Sequence, residues 1–350
     1  MIPRRLWLVL LLWALTSCQN QADHSQVDNA ILYVHRTTLE NSLVLHCFGT
    51  DEETTLFATL DYGFVGIPQW SSRFDNIFVE VAMPLSMSFL LKVEPDKSSI
   101  VSDVLSINQP NLSANNDLVF SGIQLNFPAN PDIYTLSEDN TLTKITNDAV
   151  PNTIPMWSAN GDKILFATLQ ENEPELYDIF EYDVRDKLVQ TLSSADSDDS
   201  FPKYSPDDRY LAYISNKNEL VMLNNSDNSV LYNISLESDI IFFAWSPSSQ
   251  QLAMALGTIK STNLYVFDVT TQDLQQLTFM QDTRNFLPVW SPNGGKIAFQ
   301  SDMTGEFKIY MMDVATKAIE PLSNREGIQE FPNLGKERQI SRKTIVRVTQ

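Results

Sequence analysis

Histidine is scarce in this chain of 350 residues: His24, His35 and His46 are all it has. His35 and His46 fall on neighbouring predicted strands and could approach across a hairpin to hold a metal ion. Such a site needs a third or fourth ligand and hydrogen-bonded outer partners, and neither histidine belongs to a ligand-spaced motif. Strand histidines satisfied by backbone or water are therefore the expected reading. The acidic run Asp196-Ser197-Asp198-Asp199 alternates carboxylates as calcium loops do, but it lacks the glycine and the distal glutamate of such a loop. A solvated acidic loop is expected there, with Asp196, Asp198 and Asp199 kept as weak calcium candidates. No Gly-x-Ser-x-Gly occurs, and no stretch is left over for an α/β-hydrolase domain. No catalytic residue is assigned, no cofactor is expected, and the chain is read as a binding protein and not an enzyme.

The elements that would position any site come from a phrase that recurs. Residues 286–301 read F-L-P-V-W-S-P-N-G-G-K-I-A-F-Q-S, and weaker copies anchor on Ser71, Ser113, Ser158, Ser205 and Ser246, ahead of Ser291. The gaps between these serines are 42, 45, 47, 41 and 45 residues. A strand-rich repeat of that length means a β-propeller of four-stranded blades. Trp70, Trp157, Trp245 and Trp290 recur just before the serine and are expected to pack between blades. Pro155, Pro202 and Pro288 precede the same point, where a proline without an N–H suits the start or edge of a short first strand. Ser205-Pro206, Ser246-Pro247 and Ser291-Pro292 then open a turn, as Ser158-Ala159-Asn160-Gly161 does without a proline.

The second strand alternates, with Ile164 and Phe166, Leu211 and Tyr213, Leu252 and Met254, and Ile297 and Phe299 on one face. Third strands end in Asp-Val at Asp183, Asp268 and Asp313. From each aspartate it is nine residues to Leu192, Leu277 and Leu322, where the fourth strand is expected to end.

These phrases resemble the repeat of TolB-like propellers, relatives of WD40 repeats, whose consensus runs Pro-x-Trp-Ser-Pro-Asp-Gly, then Ile-Ala-Phe, then Asp-Ile-Tyr. The resemblance is strong from Thr153 to Leu322 and weak from Ala30 to Asn152. At the C-terminus, F-P-N-L at 331–334 repeats F-P-K-Y at 201–204, and three strand-like runs (30–36, 42–48, 54–60) precede the first complete copy. Joined, they make a seventh blade that closes the ring, so seven blades are favoured; six, as in TolB, is the alternative.

The first residues are an address. Arg4 and Arg5 precede an apolar run from Leu6 to Leu15, too short to span a bilayer but suited to a signal-peptide core. It runs into Leu15-Thr16-Ser17-Cys18, which resembles the bacterial lipoprotein cleavage box: cleavage falls between Ser17 and Cys18, and the Cys18 thiol receives diacylglycerol. Gln19 in place of Asp implies outer-membrane attachment. The expected organisation is a signal peptide over 1–17, a lipidated tether over 18–28, a propeller over 29–335 and a basic tail over 336–350. With Cys18 lipidated, Cys47 is the sole remaining thiol, expected as a small buried hydrophobe in a strand.

The net charge of −20 argues against nucleic acid and anionic lipid as partners. Fold-level analogy with TolB implies an envelope protein partner, with the membrane met only through the lipid. The alternative is a small-ligand, carbohydrate-binding or lyase-type propeller with its site in the central channel. That reading needs convergent polar residues on the inner strands, where Q-W, N-L, M-W, K-Y, A-W and V-W are mostly apolar.

Overall fold

The computed structural model describes residues 30–335, apart from 38–40, 48–51, 60–63, 66–67, 71–76, 84–86, 94–97, 101–104, 124–129, 174, 194–195 and 324. Ser17, Cys18, the tether, Ser71 and the basic tail lie outside the described residues. All regular structure within them is β-strand. The chain divides into two compact units, Met1–Val101 with Thr283–Gln350, and Ser102–Asp282.

The first unit opens with β1 (Ala30–Arg36), β2 (Asn41–Cys47) and β3 (Glu52–Thr59), paired antiparallel in order. A second sheet holds β4 (Phe64–Val65), β5 (Gln69–Trp70), β6 (Ile77–Met83), β7 (Met87–Val93) and β8 (Ser98–Ile100), with β4 and β5 both paired to β6. The second unit contains four sheets of four strands. They are β9 (Leu105–Leu112) to β12 (Leu142–Lys144), through β10 (Leu118–Ile123) and β11 (Asp132–Leu136); β13 (Asn152–Trp157), β14 (Lys163–Leu169), β15 (Tyr177–Asp183) and β16 (Leu188–Thr191); β17 (Asp199–Tyr204), β18 (Tyr210–Ser215), β19 (Glu219–Asn224) and β20 (Val230–Ser235); and β21 (Asp239–Trp245), β22 (Gln251–Thr258), β23 (Ser261–Asp268) and β24 (Leu274–Gln276). The chain then returns to the first unit with β25 (Asn285–Trp290), β26 (Lys296–Ser301), β27 (Lys308–Asp313) and β28 (Ile319–Pro321). Last comes β29 (Ile328–Gly335), which pairs antiparallel with β1 from Ala30 opposite Gly335 to Arg36 opposite Ile328. The described strands thus make six sheets of four strands and one of five, and the fold is an all-β propeller with four-stranded blades.

The recurring serine is explained by its turn. Ser158, Ser205, Ser246 and Ser291 each accept the backbone N–H five residues on through Oγ, at 2.9–3.0 Å. The hydroxyls of Ser158, Ser205 and Ser291 donate to Asn160, Asp207 and Asn293 two residues on. Three residues after the serine the backbone turns left-handed, at Gly161, Asp208, Ser249 and Gly294. That is why the motif favours Gly there. The third-strand aspartates act similarly: Asp183 and Asp268 Oδ1 each accept two turn N–H groups, and Asp313 Oδ1 accepts the Thr316 N–H and hydroxyl. Leu192, Leu277 and Leu322 lie one residue beyond the ends of β16, β24 and β28, each donating its N–H back to the third strand at 2.8 Å.

One expectation is corrected. Second strands do not alternate between core and solvent; β14, β18, β22 and β26 each contain a run of five buried residues. Both faces of an inner blade strand are covered, so burial is continuous and the period of two disappears. The prolines lie on edge strands, one of the two places expected of them. Pro155, Pro202 and Pro288 sit mid-strand, where the pairing with the second strand shifts register.

The junction that leads into β29 is heavily bonded. The Lys308 ammonium donates to the Arg325 carbonyl, His35 Nε2 donates to the Glu326 carbonyl at 2.6 Å, and Arg36 pairs with Glu330 at 2.7 Å. Gly327 lies at φ +100 against the Arg36 carbonyl, where a Cβ would collide.

Candidate functional site

The register shift at each X-Pro step has a consequence for side-chain direction. A regular strand sends neighbours to opposite faces, whereas a bulge places two consecutive residues on the same side. β13, β17 and β25 accordingly share one burial pattern, in which Thr153-Ile154, Ser200-Phe201 and Phe286-Leu287 are half-exposed pairs flanked by buried residues. β21 repeats the pattern at Ile241-Phe242 without a proline. Gln109, Ile154, Phe201 and Leu287, each just before a proline, have φ between 49 and 52. A left-handed backbone is costly for such residues, above all for a β-branched isoleucine, and strain repeated at one position is a reason to look there for function.

In the second unit side chains link the first strands in two pairs, β9 to β13 and β17 to β21. Gln109 Oε1 accepts the Ile154 N–H at 2.8 Å and Asn111 Oδ1 accepts the Trp157 N–H at 2.9 Å. Lys203 Nζ donates to the Phe243 carbonyl at 2.6 Å, and the indole N–H of Trp245 donates to the Lys203 carbonyl at 3.3 Å. The Lys203 ammonium also lies 3.8 Å from the centre of the Phe242 ring, which meets Phe201 edge-on at 6.1 Å. Burial pushes the Lys203 amine down to about 7, so near neutral pH it is divided between charged and neutral forms.

Nine side chains of β13, β17 and β21 are half-exposed. Six are apolar (Ile154, Met156, Phe201, Ile241, Phe242, Ala244), two carry hydroxyls (Thr153, Ser200), and only Lys203 is ionisable. This face is the candidate functional site. Its apolar character is visible in the inner-strand dipeptides of the sequence, whereas the grouping of Lys203, Phe201 and Phe242 is not. The available signal was the X-Pro dipeptide at a fixed distance before the serine.

The residues singled out for chemistry lie elsewhere. His35 stands opposite Ser42 and His46 opposite Ile31, four residue pairs apart along β1 and β2, on the order of 13 Å, so the two histidines do not share a site. His46 Nδ1 is 3.4 Å from Glu53 Oε1, and Glu53 also takes the Tyr33 hydroxyl at 2.6 Å and Arg325 at 2.5 Å. Although burial opposes its charge, the bonds from His46, Tyr33 and Ser323 and the Arg325 charge hold Glu53 down to about 2. Asp196 is exposed and Asp199 fully buried, so the acidic run does not converge as a loop site. Among the described residues no group of three or more His, Cys, Asp or Glu is placed to hold a metal.

Trp157, Trp245 and Trp290 are buried; Trp157 packs with Val119, Ile133, Ile164 and Phe166, and Trp245 stacks on Tyr210. Tyr204 takes the tryptophan's place in β17 and donates its hydroxyl to the buried Glu181 at 2.5 Å. Pro206 and Pro247 are exposed and Pro292 half-buried, all in the serine turns. Trp70 lies in β5 and Cys47 ends β2, while their side-chain environments fall outside the described residues.

The TolB beta propeller domain (PD40) matches residues 235–341. No curated protein matches the chain by sequence. Among solved structures, TolB from Acinetobacter baumannii superposes with a TM-score of 0.56 at 15% identity, over 87% of this chain and 66% of TolB. An oligogalacturonate lyase from Vibrio parahaemolyticus gives 0.64 at 14%, over 81% of this chain and 91% of the lyase. A puromycin-hydrolyzing peptidase of Mycobacterium tuberculosis gives 0.62 at 14%, over 89% of this chain and 56% of the peptidase. The chain thus spans less than two thirds of the TolB and peptidase chains. Likeness at these identities concerns the fold, which is shared by binding proteins and enzymes alike.

Proposed function

We propose that this TolB-like β-propeller chain is a non-catalytic binding module of the bacterial cell envelope, which holds a segment of a protein partner against the first-strand face of its second unit. The observation that carries the reading is the make-up of that face: six apolar side chains, two hydroxyls and one lysine on strands held by side-chain bonds, β13 to β9 and β17 to β21. A preformed face orders little on binding, so apolar contact is not offset by a large entropy loss. Acid–base or metal chemistry needs converging ionisable groups, and Lys203 stands alone among the nine.

The envelope address rests on the sequence from Arg4 to Cys18. In this proposal Cys18 carries the lipid, residues to 28 tether the propeller to the outer membrane, and the acidic chain takes no nucleic acid. Among the described residues no helix is long and apolar enough to cross a membrane. We favour seven blades over six, because β29 supplies the first strand of the sheet begun by β1–β3.

A second reading, a small-ligand or carbohydrate site of lyase type, is favoured by the lowered Lys203 amine alone. The test is a Phe201→Ala, Phe242→Ala double variant, checked for folding by its melting curve, alongside Lys203→Met. After crosslinking in membranes, loss of the wild-type protein adducts in the double variant supports the first reading. Unchanged adducts contradict it. Small-molecule turnover by the wild type that Lys203→Met abolishes would establish the second.

A further inference from the structure

Asp178 and Asp199 break a pattern that the repeat otherwise keeps. Asp199 opens a first strand where the equivalent residues are Asn152, Asn285 and Gln329, all neutral and fully buried like itself. Asp178 occupies the third-strand position held elsewhere by Asp132, Asn263 and Lys308. The equivalence is structural: Ser193 accepts the Ile179 N–H and faces Asp178, as Thr146 does with Ile133 and Asp132 and Thr278 with Leu264 and Asn263. Asp132 is neutralised by Lys144 at 2.7 Å. Among the described residues neither Asp178 nor Asp199 forms an ion pair.

The two carboxyls share surroundings. Ser193 lies against both, Ser197 donates to Asp199 Oδ2 at 2.8 Å, and the hydroxyl of Ser215 is close by. Asp199 Oδ1, on a residue with no exposed surface, has no partner in bonding geometry. Burial raises both carboxyls, and the charge of Asp199 raises Asp178 further. Asp199 is buried and Asp178 half-exposed beside it; such a pair without a cation is unfavourable, and a bound cation or a captured proton would relieve it.

We propose that Asp178 and Asp199 hold a hard divalent cation, Ca²⁺, with serine hydroxyl oxygens completing the donor set. The donors are all oxygens, which suits Ca²⁺ and not a transition metal. Two carboxylates make a weak site, with a dissociation constant on the order of 10⁻⁴–10⁻³ M. This differs from the run Asp196-Asp198-Asp199, since only Asp199 takes part, and it is independent of the partner-binding reading.

The experiment is calcium titration of the purified full chain, followed by melting temperature and calorimetry, with NaCl at equal ionic strength as the reference. A saturable rise in melting temperature at millimolar Ca²⁺ is expected for the wild type and for Asp196→Asn. Asp178→Asn and Asp199→Asn should each lose it while folding normally, because asparagine already stands at the equivalent positions 263, 152 and 285. The proposal is overturned if the wild type shows no rise beyond the NaCl reference, or if the rise persists in both asparagine variants. It is equally overturned if the wild type binds no Ca²⁺ and is most stable at mildly acidic pH, with Asp199→Asn removing that maximum, since the pair then shares a proton.

Discussion

Lys203 bridges two neighbouring first strands: its ammonium donates to the Phe243 carbonyl at 2.6 Å while lying 3.8 Å from the centre of the Phe242 ring. A carbonyl and an aromatic face are partial substitutes for water, which is why burial still depresses the amine from 10.5 to about 7.

That depression sets a pH dependence. Between about 7 and 10.5 the unfolded chain keeps the lysine proton and the folded chain does not, so stability contributed by this group rises with pH across that window. Lys203→Met has no proton to lose. Melting measured at pH 7 and pH 9.5 should show the difference between wild type and variant moving in favour of the wild type at the higher pH. A difference that stays constant would mean the amine titrates near its ordinary value.

Asp208 couples two turns of the second unit. Its oxygens accept the N–H groups of Ala159 and Asn160, both at 2.7 Å, from a left-handed backbone at φ 56. Asp208→Ala removes both bonds and keeps the strained backbone, so a loss of about 1–3 kcal/mol is expected. Asp208→Gly loses the same bonds but regains about 1 kcal/mol from backbone relief, and should melt above the alanine variant. Equal melting of the two would show that the left-handed turn carries no strain.

Glu53 supplies an acid-sensitive contact in the first unit. Its folded value of about 2, against 4.5 unperturbed, means that its contribution is fully present above pH 4.5 and is lost as pH falls towards 2. The shift corresponds to on the order of 3 kcal/mol. Glu53→Gln should therefore be less stable than wild type at pH 7, and the gap should close by pH 2–3 in acid titrations monitored by circular dichroism.

Much of the architecture was legible because turns are local chemistry. The serine that closes its hairpin and the aspartates at 183, 268 and 313 that accept turn N–H groups recur at fixed spacing, so strand order followed from them. Pairing of F-P-N-L at 331–334 with the N-terminal strands followed from the same phrase. The first-strand face was not legible, since a bulge inverts the alternation by one residue and nothing in a single strand announces it. Only the repeated X-Pro step, with Ile154, Phe201 and Leu287 in left-handed conformations, gives it away. The separation of His35 and His46 was hidden for a related reason: adjacent strands were visible, but register, which sets them four pairs apart, was not.

The central claim is that the face around Phe201 touches a protein partner. Photocrosslinking in living cells tests it directly, with p-benzoylphenylalanine placed at Phe201 and, separately, at Leu188, an exposed position on the outer strand β16. Discrete protein adducts from position 201, weakened by Phe242→Ala and missing from position 188, are the expected result. Adducts from 188 with none from 201, in chains that melt like wild type, would contradict it.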